Sequence, residues 1–116
     1  MHELGIVEEL VRIANNELER AGVTGPVTRV SLRVGKLSGA SPEALQTAWE
    51  VVVPQTRLVG AELVIDEPYA TCRCLSCGVT SEVDGYAYCC PSCDSGEIVI
   101  EGGNDLQLTS IDVDDA

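Results

Sequence analysis

Two pairs of cysteines constrain this chain more than any other feature. They are Cys74-Leu75-Ser76-Cys77-Gly78 and Cys90-Pro91-Ser92-Cys93-Asp94, with 12 residues between Cys77 and Cys90. Two residues between thiols let one tight turn present both sulfurs to a single ion, and two such turns complete a tetrahedron around Zn(II). Gly78 can take the positive φ that follows such a turn, and Asp94, its counterpart, is one of the few other residues that visit that region. Four thiolates leave no coordination position open to water, so hydrolytic zinc catalysis is not expected. The metal instead reads as structural, folding a zinc-ribbon module of about 30 residues that could not bury a core of its own. Iron also accepts four thiolates, and a redox iron centre stands as an alternative. Cys72 and Cys89 are left over. Cys89 abuts Cys90, so their side chains should diverge, and both leftover residues read as free thiols.

At 116 residues the chain has room for one domain, or a small domain plus a metal-stapled module. Aromatics make up 3% with no Phe, so the core must be aliphatic. Seven basic residues against 19 acidic ones give a net charge of −12. Such a surface repels phosphate, which argues against nucleic acid and anionic membranes as partners. It would draw cations or a basic protein, although the acidity also serves solubility alone. The first twenty residues carry five Glu and no long apolar block, so they do not read as a signal peptide. No segment approaches the roughly 18 apolar residues of a membrane span. A cytoplasmic chain is expected, and there six cysteines point to metal rather than to disulfides.

Residues 3–21 carry a helical period, with Val7, Leu10, Val11, Ala14, Leu18 and Ala21 on one face and Gly22 as C-cap. After Gly25-Pro26 the period becomes two, and Val30, Leu32 and Val34 alternate with Arg29, Ser31 and Arg33 as in a half-buried strand. Ser41-Pro42 supplies an N-cap and first-turn proline for a second helix over 42–53, ending before Pro54. Trp49 within it reads as a core residue. A second strand covers 61–66, burying Leu63 and Ile65, and Pro68 stops it. All six cysteines fall between Tyr69 and Gly103, where short β-like runs such as Ile98-Val99-Ile100 also lie. Gly102-Gly103-Asn104 reads as a flexible exit. The last strand spans 106–113, and its apolar parity changes between Leu106/Leu108 and Ile111/Val113, which suggests a bulge near Thr109-Ser110. The expected class is α+β: a three-stranded sheet with two helices, plus an inserted zinc-ribbon module. Residues 1–68 form the first domain, completed by the strand within 104–116, and residues 69–103 form the insert.

His2 is the sole histidine and sits beside the α-amine. Taken alone it is an ordinary residue at a chain end. Chemically, however, Met1-His2-Glu3 can be a compact chelator. The amine, the imidazole and ionised backbone amides are nitrogen donors suited to square-planar Ni(II) or Cu(II). The Glu3 carboxylate could add a contact or orient the imidazole. Such a site requires retention of the initiator Met, which a bulky second residue favours.

Met1-His2-Glu3 on a helix, Cys72-x-Cys74-x-x-Cys77-Gly78 with Cys90-Pro91-x-Cys93, Arg33-Val34-Gly35-Lys36-Leu37 and the ending Ile111-Asp112-Val113 together resemble the HypA/HybF family of hydrogenase maturation nickel chaperones. The resemblance spans essentially the whole chain. It implies a nickel domain of helices on a small sheet with an inserted zinc domain. It also implies Ni(II) carried as cargo to the [NiFe]-hydrogenase large-subunit precursor, with the nickel-handling GTPase HypB as partner and urease maturation served in some members. By position, nickel falls on Met1, His2 and Glu3, and structural zinc on Cys74, Cys77, Cys90 and Cys93. No bond in a substrate would be made or broken, so no enzyme is expected. Cys89 and Asp94 depart from the family pattern. The rival function is a zinc-ribbon protein-interaction module with no nickel role.

Overall fold

The computed structural model describes residues 2–83, 85 and 88–114. Helix α1 runs His2–Arg20 and buries Val7, Leu10, Val11, Ala14 and Leu18, the stripe set by the three- and four-residue spacing. Ala21 lies past the last turn and is exposed. Gly22, at φ 70°, closes the helix. Its N–H donates to the Glu19 carbonyl and that of Val23 to Leu18, so two terminal carbonyls that the helix leaves unpaired are satisfied.

Strand β1 spans Val27–Val34, and Val30, Leu32 and Val34 point inward as the alternation requires. Helix α2 spans Pro42–Val52 and tightens into a 3-10 turn over Val53–Gln55, where Pro54 cannot continue an α-helix. The Ser41 hydroxyl caps α2 by accepting the Ala44 N–H at 3.2 Å. Trp49 is buried, and its indole N–H donates to the Ala61 carbonyl at 3.0 Å. Strand β2 follows as Glu62–Asp66 and the last strand, β6, as Leu106–Val113. Together they form a sheet of order β2-β1-β6. The chain therefore returns to its first sheet only at its end, with the cysteine segment lying between. The inward positions of β6 step from Leu108 to Ile111 across exposed Thr109 and Ser110, so the parity change read in the sequence is present. On the central strand, Arg29 faces Glu62 at 3.5 Å on one side and Asp112 at 3.4 Å on the other.

A second sheet, of order β4-β3-β5, holds the cysteine segment. Its central strand β3 is Ala70–Cys74, flanked by β4, Thr80–Val83, and β5, Ile98–Gly102. Both pairings are antiparallel, with Cys72 opposite Ser81 on one side and Ile100 on the other. Among the described residues, two α-helices and two three-stranded sheets make the chain α+β.

Compactness divides the chain into two units. The first comprises residues 1–32, 40–65 and 108–116, and the second comprises 33–39 and 66–107. The Gly-Gly segment is not the loose exit its composition suggests. Gly103 is buried at φ 76°, and a Cβ there would sit 2.6 Å from the Ala70 Cβ. The Leu37 N–H donates to the Gly103 carbonyl, and the Gly35 N–H to Asp105 at 2.7 Å. Any side chain on Gly35 would strike the Gly103 peptide, so these two glycines permit a close backbone approach within the second unit.

Candidate metal sites

The two cysteine turns are built alike. Cys74 ends β3, and the Gly78 N–H returns to its carbonyl at 3.1 Å. Cys90 opens the second turn, and the Asp94 N–H returns to its carbonyl at 2.9 Å. Gly78 at φ 77° and Asp94 at φ 65° take the left-handed conformation that each turn demands. Asp94 is the sole non-glycine residue to do so among those described. The turns aim backbone donors at their own sulfurs. Ser76 and Cys77 N–H groups point at Cys74 Sγ (3.3 and 3.4 Å), and the Ser92 N–H points at Cys90 Sγ (3.3 Å). A hydrogen bond between the Ser76 and Ser95 hydroxyls, 2.8 Å long, links one turn to the other.

The outcome is one cluster. The sulfurs of Cys74, Cys77, Cys90 and Cys93 all lie within 4.8 Å of one another. Cys74–Cys93 and Cys77–Cys90 approach to 3.6 and 3.7 Å. A tetrahedral zinc with Zn–S bonds of about 2.3 Å requires sulfur–sulfur edges of about 3.8 Å, and the four residues fit it. The electrostatics point the same way. N–H donors from Cys77 and Ser76 draw the Cys74 thiol down to about 6. Cys93 moves the other way, to about 12: the Ser95 N–H lowers it, but the neighbouring thiols led by Cys74, together with burial, raise it further. Four sulfurs this close cannot all ionise on their own, because like charges disfavour one another. A divalent cation removes that conflict. Cys74 and Cys90 are buried while Cys77 and Cys93 are exposed, so the cluster is backed by protein on one side.

Cys72 and Cys89 stay outside the cluster. Cys72 is buried on the same face of β3 as Cys74, and burial pushes its thiol up. Cys89 is exposed, with its Sγ 3.8 Å from an Asp94 carboxylate oxygen.

At the other candidate site, Met1 lies outside the described residues. His2 begins α1 with its side chain 64% exposed, and its Nδ1 is 3.7 Å from Glu3 Oε1. Glu3 Oε2 accepts the Ser41 backbone N–H at 3.0 Å, which holds this carboxyl below its ordinary value. The structure thus places His2 beside Glu3 and adds a neighbour the sequence did not suggest. Ser41 is visible in the sequence as a helix cap, but nothing in its spacing shows that α1 and α2 bring it to Glu3.

Comparison with known proteins agrees with this architecture. Residues 1–113 match the model of the family described as HypA: hydrogenase/urease nickel incorporation, metallochaperone. A hydrogenase maturation factor HypA from Desulfosudis oleivorans is 37% identical over 114 residues, covering 97% of this chain and 98% of the relative. Its counterpart from Rhodobacter capsulatus is 34% identical, covering 97% and 99%. The solution structure of the Ni metallochaperone HypA from Helicobacter pylori shares the fold at a TM-score of 0.64 and 20% identity, with 97% of each chain covered. With its two helices, its interrupted first sheet and its four-cysteine cluster, this chain belongs to the HypA family of hydrogenase/urease nickel-incorporation metallochaperones.

Proposed function

We propose that the chain captures Ni(II) at Met1, His2 and Glu3 and delivers it during maturation of [NiFe] hydrogenase, with a structural Zn(II) at Cys74, Cys77, Cys90 and Cys93. The family match over residues 1–113 carries this assignment. The nickel role belongs to residues 1–68 with 104–116, and the zinc role to residues 69–103.

Two physical features support it. The first N–H groups of a helix have no carbonyl partner within it. Because α1 starts at His2, the backbone nitrogens of His2 and Glu3 are outside the helical ladder, that of Glu3 turned to its own carboxylate, and could serve as donors alongside the imidazole. The Met1 amine would complete a nitrogen set that suits Ni(II). At the other site, bound zinc would neutralise the thiolates and fasten the two cysteine turns together.

Delivery is a transfer of cargo through docking, so the protein is not an enzyme. The nickel-handling GTPase HypB and the hydrogenase large-subunit precursor are the proposed cytoplasmic partners, with urease maturation proteins a second outlet. No described helix is long and apolar enough to cross a membrane. The test is complementation of a strain lacking its own hydrogenase chaperone. Wild type should restore hydrogenase activity and His2→Ala should not. Equal rescue by the two would remove the N-terminal site.

A further inference from the structure

Helix α2 has an incomplete cap. Its N-cap Ser41 accepts the Ala44 N–H through the side chain, which is half of a capping box. The other half is a Glu or Gln at the third helical position, reaching back to the N-cap N–H. That position is Ala44, which has nothing to offer. Glu3, 38 residues earlier on α1, accepts the Ser41 N–H instead, at 3.0 Å. Its side chain is 15% exposed against 64% for His2, and its second oxygen lies 3.7 Å from His2 Nδ1. One carboxylate therefore completes the cap of α2 and flanks the imidazole of α1.

We propose that the amino end of α2 positions the nickel donors through this split capping box, with the Glu3 carboxylate acting as a tether rather than as a nickel ligand. The inference rests on the N-terminal nickel site proposed above. A first helical turn frays unless tied down. Tying it through Glu3 holds the His2 imidazole and the adjacent backbone nitrogens in place before metal arrives, so less order has to be gained on binding. Ser41 and Glu3 are positioning residues here, and the donors themselves are nitrogens.

The experiment is calorimetric titration of Ni(II) into the zinc-loaded full-length chain, with the Ni(II) absorption spectrum recorded at saturation. Glu3→Ala should weaken nickel about tenfold or more, the usual effect of losing a residue that orients a ligand. Glu3→Gln keeps an oxygen that accepts the Ser41 N–H and should stay within about threefold of wild type. Ser41→Ala loses the hydroxyl but keeps the N–H, and should also bind normally. Ser41→Pro loses the N–H and should match Glu3→Ala, with the double variant no weaker than either alone, since both cut one interaction. The saturated spectrum should be the same throughout.

A changed spectrum in Glu3→Ala, with Glu3→Gln equally impaired, would make the carboxylate a ligand and overturn the tether. Normal affinity in Ser41→Pro beside a weakened Glu3→Ala would overturn the role of α2. If Ser41→Pro does not fold, the Glu3→Ala and Glu3→Gln pair decides. His2→Ala separates the two levels: weak binding there with normal Glu3→Ala sinks the tether alone, whereas normal binding in His2→Ala removes the nickel site and the tether with it.

Discussion

Stripping the metal from the four cysteines should unfold the second unit and spare the first. Among the described residues, fifteen of the buried apolar side chains belong to the first unit, Val7 to Leu32 and Leu45 to Leu63. Among the described residues of the second unit, the buried apolar side chains are Val34, Ala70, Cys72, Cys74 and Cys90, and two of these five are candidate metal ligands. Burying a Val is worth about 1.5–3 kcal/mol, while ordering one residue costs about 1–2 kcal/mol. Such a core cannot hold β3, β4 and β5 in place unaided. A structural zinc contributes about 10–16 kcal/mol, and even half the lower figure, about 5 kcal/mol, changes an opening equilibrium by about 5 × 10³. Hydrogen exchange before and after chelation reads this strand by strand. Amides of β3, paired on both sides, should lose protection by at least about 5 × 10³, while those of α1 around Val11 and Ala14 remain slow. Protection of β3 that survives chelation would refute the structural role of the metal.

Leu58 is fully buried in the first unit, so Leu58→Ala should cost about 2–5 kcal/mol in urea unfolding and leave zinc stoichiometry unchanged. Gly103→Ala must place a Cβ 2.6 Å from that of Ala70 at a positive φ, and thermal unfolding should show a loss of about 2–4 kcal/mol. Gly96→Ala, where a Cβ meets nothing within 4 Å, is the matching control and should change stability by less than about 0.5 kcal/mol. Nickel affinity should fall as pH drops from roughly 7 to 6, because amine and imidazole donors must lose protons to bind. Glu3 does not contribute in that range. Its folded value is depressed below 4.5, so its hydrogen bond to Ser41 is complete above 4.5 and is lost only as pH falls through the lower folded value. Calorimetry at several pH values checks this, and a fall confined to acid pH near 4 would contradict it.

Much of the first unit was legible because its signals are local. The α1 stripe, the Ser41-Pro42 start of α2 and the span of β6 follow from periodicity and capping, and the structure has them within a residue or two. Cysteine spacing revealed the four-sulfur cluster because each turn is a local unit and only one partner turn exists. What stayed hidden depends on chain segments meeting from a distance. Gly102-Gly103 looked loose because composition carries no record of Ala70 and Leu37 packing against it. Ala21 fits the α1 period yet is exposed, because Gly22 ends the helix before Ala21 can face the core. The Glu3–Ser41 contact is silent in sequence for the same reason: it joins two helices across 38 residues.

The most direct test of nickel handling is a Ni(II) titration of the zinc-loaded protein by calorimetry, in wild type and His2→Ala, with bound metals counted by elemental analysis. One zinc per chain, one nickel at the N-terminus and nickel affinity lowered at least about tenfold in His2→Ala are expected, since the imidazole is a direct donor. Iron in place of zinc, or the same nickel affinity in both proteins, would contradict the assignment.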